Sequence, residues 1–320
     1  MSDDPAQPRT LAEVGEFAVI DRLVANRQQP RTVSLGPGDD AAVVVAGDGR
    51  VVISTDMLVA GRHFRLDWST PHDVGRKAIA QNAADIEAMG AGATAFVVAL
   101  GAPADTPARQ LTELTDGLWD EARPLGAGIV GGDLVSSPQL VVSVTVLGDL
   151  AGRPPITRSG ARPGSVLAAC GDLGRSAAGY WLWHNGLGGF DALRQRHLVP
   201  QPPYGQGAVA ADAGAEAMTD VSDGLVADVR HIADASQVGI ELSTAALVSD
   251  YEALVDAAAL SGGDPWAWVL GGGEDHALVA TFPGAPPMGW RIIGKVFDGP
   301  ARVLVDGQEW NGYAGWEAFH

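Results

Sequence analysis

The chain has 320 residues, and its 39 acidic and 21 basic side chains give it a net charge of −18. Nucleic acid and anionic membranes repel such a chain, so we expect it to bind neither. The single cysteine, Cys170, excludes an internal disulfide and a cysteine-based metal site. No apolar run reaches the ~18 residues of a membrane span, and no secretory signal is visible, so we expect a cytoplasmic protein.

Helices and strands are predicted to mix without regular alternation. Thr10 and Glu13 have the spacing of a capping box and predict a first helix that ends before Pro30. Further helices are predicted over Pro71–Met89, Ala108–Arg123, Ser176–Asn185, Gly207–Ala217 and Leu225–Ala235. Strands are predicted at Ala42–Val45, Val51–Ser54, Phe96–Leu100, Ile129–Val130, Leu140–Leu147, Val166–Cys170, Ala277–Thr281, Ile292–Val296 and Val303–Val305, and a further strand is predicted to lead into Asp220–Ser222.

The stretch Gly152–Gly164 concentrates proline, glycine and arginine between two apolar strands. Such a stretch is typical of a domain boundary. We therefore expect two domains, residues 1–150 and 151–320. The irregular order of helices and strands favours α/β and α+β domains over a parallel barrel.

Aspartates recur at glycine-rich turns beside apolar runs, and one further aspartate, Asp85, lies inside an apolar helical stretch. A buried carboxylate is costly unless it is paired or bound to metal, and few lysines or arginines lie nearby in sequence. Oxygen ligands favour a hard cation such as Mg²⁺, which commonly bridges to phosphates. A single such turn is more often a structural cap, so the interpretation depends on the whole set. The turn aspartates are Asp39, Asp40, Asp56, Asp133, Asp220 and Asp223.

Several common catalytic signatures are absent from the sequence. It contains no P-loop lysine motif, no protein-kinase motif set, no H-E-x-x-H and no G-x-S-x-G. If the chain is a kinase, it belongs to a less common fold.

Seven segments occur in the order found in one family. They are GPGDDAAV, STDMLVAGRHF, KAIAQNAADIEAMGA, IVGGDLV, TRSGARPG, VSDGL and GGGEDHAL. From about Gly15 to the C-terminus the chain resembles the thiamine-monophosphate kinases, within the aminoimidazole-ribonucleotide synthetase-like ATP-binding superfamily. The resemblance implies ATP-dependent phosphorylation of thiamine monophosphate by direct transfer, the last step of thiamine diphosphate biosynthesis. It also implies an N-terminal α/β domain for metal, ATP and dimerisation, a C-terminal α+β domain that adds nucleotide and substrate contacts, and N-terminal sheets that close a barrel across a homodimer.

The same resemblance assigns the site residues. Several Mg²⁺ ions are expected on Asp40, Ser54, Thr55, Asp56, Asp85, Asp133, Asp220 and Asp223, of which Asp56, Asp133 and Asp220 are the expected catalytic residues. ATP contacts are expected at Gly132, Asp133, Arg158 and Ser222. Substrate contacts are expected at His63, Glu274 and a C-terminal aromatic residue, for which Trp310 is the candidate and Trp316 the competitor.

Two alternatives remain open from the sequence. One is another ATP-dependent enzyme of the same superfamily, such as a selenophosphate synthetase, a hydrogenase-maturation carbamoyl dehydratase or aminoimidazole-ribonucleotide synthetase. The first two normally carry a cysteine near the N-terminus and at the C-terminus, respectively, and this chain has neither. The other alternative is a non-catalytic protein that binds divalent metal.

Overall fold

The computed structural model describes residues 10–37, 41–312 and 315, with only the backbone described at 16 and 17. The described chain divides into two compact units. The first comprises the residues up to Asn82 together with Ala93–Asp149, and the second comprises Ala83–Gly92 together with the residues from Leu150 onward. Within these described residues, no helix is both long enough and apolar enough to cross a membrane.

The first unit is built on a four-stranded sheet with the strand order β3-β6-β4-β5. Strands β3 and β6 are antiparallel, whereas β4 and β5 are parallel. A separate antiparallel pair is formed by β1 and β2. The elements are α1 Leu11–Val14, α2 Glu16–Val24, β1 Val33–Leu35, β2 Val43–Val44, β3 Val52–Val59, α3 Pro71–Ala88, β4 Gly92–Ala102, α4 Ala108–Ala122, a 3₁₀ turn Arg123–Leu125, β5 Gly128–Ser136 and β6 Val141–Asp149.

The prediction of one long first helix is wrong, because two helices occupy that segment. The capping box is present: the Thr10 hydroxyl accepts from the Glu13 N–H, and the Glu13 carboxylate accepts from the Thr10 N–H. Gly15 then adopts φ +83°, a left-handed conformation that a helix interior does not accommodate. The chain therefore turns between α1 and α2.

One face of the four-stranded sheet is exposed in the first unit. Along β6 the residues alternate between fully and partly buried, as expected when only one side of a strand is covered. On the other side, Ile53 and Met57 of β3, Val97 of β4 and Val135 of β5 are 66%, 54%, 38% and 53% exposed, respectively. The sheet thus presents apolar side chains on an uncovered face.

The second unit contains a seven-stranded sheet with the strand order β13-β12-β9-β11-β7-β10-β8. Neighbouring strands are antiparallel except for the parallel pair β9 and β12. The elements are β7 Val166–Cys170, α5 Arg175–His184, α6 Asp191–Leu198, α7 Gln206–Asp212, β8 Ala217–Asp220, α8 Leu225–Ser236, β9 Gly239–Leu242, α9 Val248–Glu252, α10 Val255–Ser261, α11 Pro265–Gly271, β10 Leu278–Phe282, β11 Arg291–Phe297, β12 Arg302–Val305 and β13 Gln308–Glu309.

Both faces of this sheet are buried at β7, β8 and β10. Leu167 and Ala169 of β7 belong to one apolar cluster, which includes α5, α8 and α11, whereas Ala168 and Cys170 belong to a second cluster with α7. Because successive side chains of a strand point to opposite faces, the two clusters lie on the two sides of the sheet. This double burial explains why β7 is apolar throughout.

Several elements of the second unit differ from the sequence prediction. The predicted helix Gly207–Ala217 is too long: α7 ends at Asp212, Gly214 adopts φ +81°, and Ala217 begins β8. Helix α6 is not predicted, because its sequence DALRQRHL is mostly polar and lacks an apolar period. Strand β9 and helices α9–α11 are also absent from the prediction, since each is short and is held by tertiary packing.

Strand pairing brings several loops of the second unit to one sheet edge. Leu278, the first residue of β10, lies opposite both Cys170 at the end of β7 and Asp220 at the end of β8. The segments that follow Cys170 and Asp220 and the segment that precedes Leu278 therefore meet at this edge. We call it the acidic edge, because Asp220, Asp223, Glu274 and Asp275 lie along it.

Candidate active site

In the first unit, Ser54, Thr55 and Asp56 lie on β3, an edge strand of the four-stranded sheet. The Thr55 hydroxyl donates to the carbonyl of Val144 at 2.9 Å and lies 3.1 Å from the hydroxyl of Thr145. This hydroxyl therefore takes part in the pairing of β3 with β6. Asp56 is half-buried.

The backbone of Asp56 is fixed by a side chain that the sequence analysis did not assign. Asn82 of α3 is buried, and its Oδ1 accepts from the Asp56 N–H at 3.2 Å. Its Nδ2 donates to the carbonyl of Ala78 at 2.8 Å, so both ends of the amide are bound. A polar residue on an apolar helical face was the signal in the sequence. Asp85 follows one turn later on α3 and is partly buried.

Gly132 and Asp133 lie on β5, the opposite edge strand of the same sheet. A Cβ atom at Gly132 would lie 1.9 Å from the carbonyl oxygen of Val98, so this strand pairing requires glycine. Asp133 is exposed, and its Oδ1 accepts from the N–H of Leu134 at 2.9 Å. Strand packing therefore explains why residue 132 is a glycine, whether or not a phosphate binds here.

His63 lies in a tight turn after β3. Its N–H donates to the carbonyl of Val59 at 3.0 Å, and its Nδ1 accepts from the Val59 N–H at 3.0 Å. Since Nδ1 is an acceptor, the proton of the neutral ring is on Nε2, which is then a donor. The ammonium of Lys77 is buried and donates to the His63 carbonyl at 3.0 Å, which fixes the turn from α3.

At the acidic edge of the second unit, Asp220 ends β8 and is buried. Its Oδ2 lies 3.0 Å from Nδ1 of His276, which is also buried. Burial lowers the pKa of His276, but the hydrogen bond and the charge of Asp220 outweigh it, so the pKa is raised. The sequence motif GGGEDHAL contained this histidine, but the sequence analysis gave it no role.

Asp223 lies in the turn between β8 and α8, close to Asp228 and His231. Ligand atoms of these three side chains lie within 4.8 Å of one another. Burial, and next the charge of Asp220, raise the pKa of Asp223. Burial likewise raises the pKa of Asp228 to about 7, although its Oδ2 accepts from the N–H groups of Asp223 and Gly224. Asp228 therefore fixes the turn that carries Asp223, a role that the sequence analysis missed.

Arg158 and Ser222 approach the same turn. Arg158 is exposed, and its positive charge lowers the pKa of Asp223, against the larger effect of burial. The backbone of the Arg158 segment runs beside β8, since the N–H of Met218 donates to the carbonyl of Thr157. The carbonyl of Ser222 accepts from the N–H of Glu274 at 2.7 Å. Residues from three separate segments thus meet at the acidic edge.

The loop before β10 carries Glu274 in a left-handed conformation, with φ +63°. The carboxylate of the next residue, Asp275, accepts from the N–H groups of Gly174 and Ser176 at the start of α5. Asp275 is buried, and burial raises its pKa to about 7. The loop before β10 is therefore bound both to the start of α5, through Asp275, and to the turn after β8, through the Glu274 N–H.

The remaining predicted positions are placed as follows. Trp310 is partly buried and packs against the apolar cluster that includes α5, α8 and α11. Asp40 and Trp316 lie outside the described residues. The structure brings together Asp220, Ser222, Asp223, Arg158 and Glu274 in the second unit, whereas Ser54, Thr55, Asp56, His63, Gly132 and Asp133 belong to the first.

Chemically, the acidic edge is an oxygen-donor site. Burial and the charge of Asp220 raise the pKa of Asp223, and the charge of Arg158 offsets part of this rise. A hard cation would neutralise two neighbouring carboxylates of this kind. With the cation bound, the acidic edge and the nearby arginine would together favour the binding of phosphate groups. The geometry thus fits chemistry on phosphates.

Two family models together match most of the chain. Residues 38–150 match the AIR synthase related protein, N-terminal domain, and residues 162–305 match the AIR synthase related protein, C-terminal domain. These matches confirm the predicted two-domain fold of the aminoimidazole-ribonucleotide synthetase type.

Curated relatives and solved structures agree with these domains. The chain is 71% identical over 310 residues to a thiamine-monophosphate kinase of Mycobacterium tuberculosis, covering 97% of this chain and 93% of the relative. It is 44% identical over 295 residues to a thiamine-monophosphate kinase of Corynebacterium glutamicum, covering 90% and 87%. A solved structure described as AaThiL complexed with AMPPCP and TMP has a TM-score of 0.78 and 30% identity, covering 97% of this chain and 99% of that one.

Proposed function

The chain belongs to the thiamine-monophosphate kinase family, and on that premise we propose how its residues transfer phosphate from ATP to thiamine monophosphate. The products are thiamine diphosphate and ADP, and the reaction is the last step of thiamine diphosphate biosynthesis. The observation that carries this assignment is the 71% identity to the Mycobacterium tuberculosis kinase over 97% of the chain. A likeness to the hydrogenase-maturation protein HypE, at 20% identity and a TM-score of 0.70, reflects the shared fold alone.

Magnesium is the cation that fits the donor set. The residues that would hold it are oxygen donors, and burial and mutual repulsion already raise the pKa of Asp223 beside Asp220. When bound, Mg²⁺ supplies positive charge between the two phosphate groups that must meet. We assign it to the carboxylates expected from the family, namely Asp40, Asp56, Asp85, Asp133, Asp220 and Asp223, with Ser54 and Thr55 as further ligands.

The acceptor is the phosphate of thiamine monophosphate, which is already an anionic nucleophile. It needs no strong general base, so the protein contributes positioning and charge. Arg158 presents a planar guanidinium for ATP phosphates, and Ser222, Gly132 and Asp133 complete the proposed ATP contacts. We propose direct in-line transfer without a phosphoenzyme.

The thiamine end of the substrate is assigned to three residues. His63 carries a proton on Nε2 in its turn, so it can donate to the substrate phosphate. Glu274 offers a carboxylate for the aminopyrimidine or the cationic thiazolium. Trp310 offers a ring for the same cation, with Trp316 as its competitor.

We also propose a homodimer that uses the exposed sheet face. Strands β6 and β4 separate β3 from β5, so Asp56 and Asp133 belong to strands about 14 Å apart across the sheet, too far to share one cation within a single sheet. Pairing of two four-stranded sheets would close both edges and cover Ile53 and Met57. Such closure would place β3 of one copy beside β5 of the other.

The dimer is tested by sedimentation of matched variants. Ile53→Glu places a charge on the proposed interface and should convert the dimer into a monomer. Met288→Glu changes an apolar residue that is 95% exposed in the second unit, and it should leave the dimer intact. A monomeric wild-type protein at micromolar concentration would overturn the proposal.

The remaining assignments are a cytoplasmic location, where ATP is supplied, and the division of labour between residues 1–150 and 151–320. In that division, residues 1–150 bind metal and ATP and form the dimer, and residues 151–320 complete the site with Asp220 and Asp223 and with further nucleotide and substrate contacts. Separate mutation of Asp56 and Asp220 tests whether both parts of the chain are needed.

The function is tested by ADP release with ATP, Mg²⁺ and thiamine monophosphate, with thiamine and an aminoimidazole ribonucleotide as controls. Release should require thiamine monophosphate, and the product should be thiamine diphosphate. Asp56→Asn and Asp133→Asn should each lose most of kcat, whereas Asp67→Asn, at an exposed ion pair with Arg65, should not. Near-normal turnover of the first two variants would contradict the site assignment.

A further inference from the structure

Helix α6 places a histidine against the carboxylate of Glu274. His197 lies in the last turn of α6 and is buried. Its Nδ1 lies 3.4 Å from Oε2 of Glu274 and 3.3 Å from Oγ of Ser176. Neither the motif analysis nor the family resemblance assigns a role to His197.

The imidazole of His197 is held in place by α5. The ring of Tyr180 packs edge-on against it, with the ring centroids 5.4 Å apart and the planes at 69°. The two helices approach closely at Gly179, where a Cβ atom would lie 2.1 Å from the carbonyl of Leu193 and 3.0 Å from Cβ of His197. The ring position therefore follows from helix packing and does not depend on a bound ligand.

The backbone of Glu274 is also fixed. Its N–H donates to the carbonyl of Ser222 at 2.7 Å, and Asp275 ties the loop to the start of α5. A Cβ atom at Gly273 would lie 2.5 Å from the Ser222 carbonyl, so the loop cannot pack here with a larger residue. With the backbone held, the direction of the Glu274 carboxylate depends on what its oxygens contact.

The three groups Ser176, His197 and Glu274 have the residue types of a nucleophilic triad, but the burial argues against that role. Ser176 is 1% exposed, and its N–H is bound to Asp275, so no substrate reaches its hydroxyl. A carboxylate only accepts hydrogen bonds, so the imidazole of His197 can act on Glu274 only as a donor from Nδ1. The array is suited to orienting a carboxylate.

We propose that His197 is a positioning residue that sets the direction of the Glu274 carboxylate towards the cationic, nitrogen-rich rings of the thiamine substrate. The proposal rests on the proposed function, in which Glu274 contacts that substrate. His197 acts through Glu274 and does not touch the transferred phosphoryl group. Its loss therefore weakens binding of the acceptor and leaves ATP binding and the chemical step intact.

The test is a double-mutant cycle on the full-length enzyme. His197→Leu keeps the bulk but removes the donor, and it should raise KM for thiamine monophosphate about tenfold, with kcat and KM for ATP within twofold of wild type. Glu274→Gln should raise the same KM. The double variant should be no worse than Glu274→Gln alone, because the two residues act as one unit.

Two further variants separate positioning from bulk packing. The amide nitrogen of His197→Asn occupies nearly the place of Nδ1 and should restore most of the substrate affinity. His197→Gln is closer in size but moves the donor outward, so it should restore less. The proposal thus predicts that Asn restores more affinity than Gln, whereas a role in packing alone predicts that the larger Gln restores more. The comparison of Asn with Gln can be made even if His197→Leu does not fold.

The outcomes distinguish this proposal from the function on which it rests. Wild-type turnover with thiamine monophosphate tests the function, and its absence would overturn both. With turnover present, multiplicative effects of His197→Leu and Glu274→Gln on KM would overturn the positioning role alone. So would an unchanged KM in Glu274→Gln, better rescue by Gln than by Asn, or a parallel rise in KM for ATP.

Discussion

Nδ1 of His276 lies 3.0 Å from Oδ2 of Asp220, and the two side chains are 8% and 6% exposed. A carboxylate only accepts, so Nδ1 carries the proton and holds that oxygen. His276 is itself in a left-handed conformation, with φ +53°, and its N–H donates to the carbonyl of Val221 at 2.9 Å. The β10 loop thus orients the carboxylate that ends β8.

Loss of this histidine should weaken metal-dependent activity. Removal of the group that orients a metal ligand typically costs 10–100-fold, so we expect His276→Ala to lower kcat/KM by about that factor, measured against Mg²⁺ concentration. His276→Asn keeps a donor near Nδ1, tolerates positive φ and should retain most activity. His72→Ala removes an equally short but exposed contact to Asp120 and serves as the control, which should change activity less than twofold. Equal effects of the two alanine variants would contradict this role.

Adjacent glycines in β5 should respond differently to alanine. A Cβ atom at Gly132 would lie 1.9 Å from the Val98 carbonyl, whereas one at Gly131 would meet nothing within 4 Å. Gly132→Ala should therefore lower the free energy of unfolding by about 1–3 kcal/mol, as overpacking does. Gly131→Ala should change it little. Urea unfolding of both variants checks the difference, and equal midpoints would show that β5 does not pair with β4 in this way.

Asn82 should matter to both stability and turnover. Asn82→Ala leaves the Asp56 N–H without this acceptor in a half-buried place, at a cost of about 1–3 kcal/mol in unfolding free energy. Since Asp56 is a proposed catalytic residue, kcat should fall as well. Gln81→Ala, one residue away on α3, is the control. A normal kcat in a destabilised Asn82→Ala would limit the amide to a purely structural role.

Asp275 predicts a pH dependence of stability. In the unfolded chain the carboxyl of Asp275 has a pKa of 3.8, whereas burial in the folded protein raises this pKa to about 7. The folded state therefore keeps its full stability with respect to this group below pH 3.8, where Asp275 is protonated in both states. That part of the unfolding free energy is lost as the pH rises from 3.8 through 7. Between pH 5.5 and 8.0 the wild type should lose about 2 kcal/mol of unfolding free energy relative to Asp275→Asn. Urea midpoints of both proteins at the two pH values check this, and parallel curves would contradict it.

Local signals predicted much of the fold, as particular elements show. Strand β7 occupies Val166–Cys170 as predicted, because five consecutive apolar residues suit a strand that is buried on both faces. Helix α3 is likewise close to its predicted span, since its apolar positions are periodic. Helix α6 could not be predicted in this way, because its polar sequence is held by packing against α5 at Gly179.

The sequence by itself determined the family, because the ordered motifs and their aspartates are carried by short contiguous segments whose chemistry can be read locally. It also indicated a metal site with oxygen ligands that binds phosphate, since too few lysines and arginines lie near those aspartates in the sequence to pair with them. Only the tertiary structure decided which side chains hold these aspartates and Glu274 in place. Asn82 lies 26 residues from Asp56, His276 lies 56 from Asp220, and His197 lies 77 from Glu274. Such pairs form only when helix packing and strand register bring distant segments together, and no local pattern encodes them.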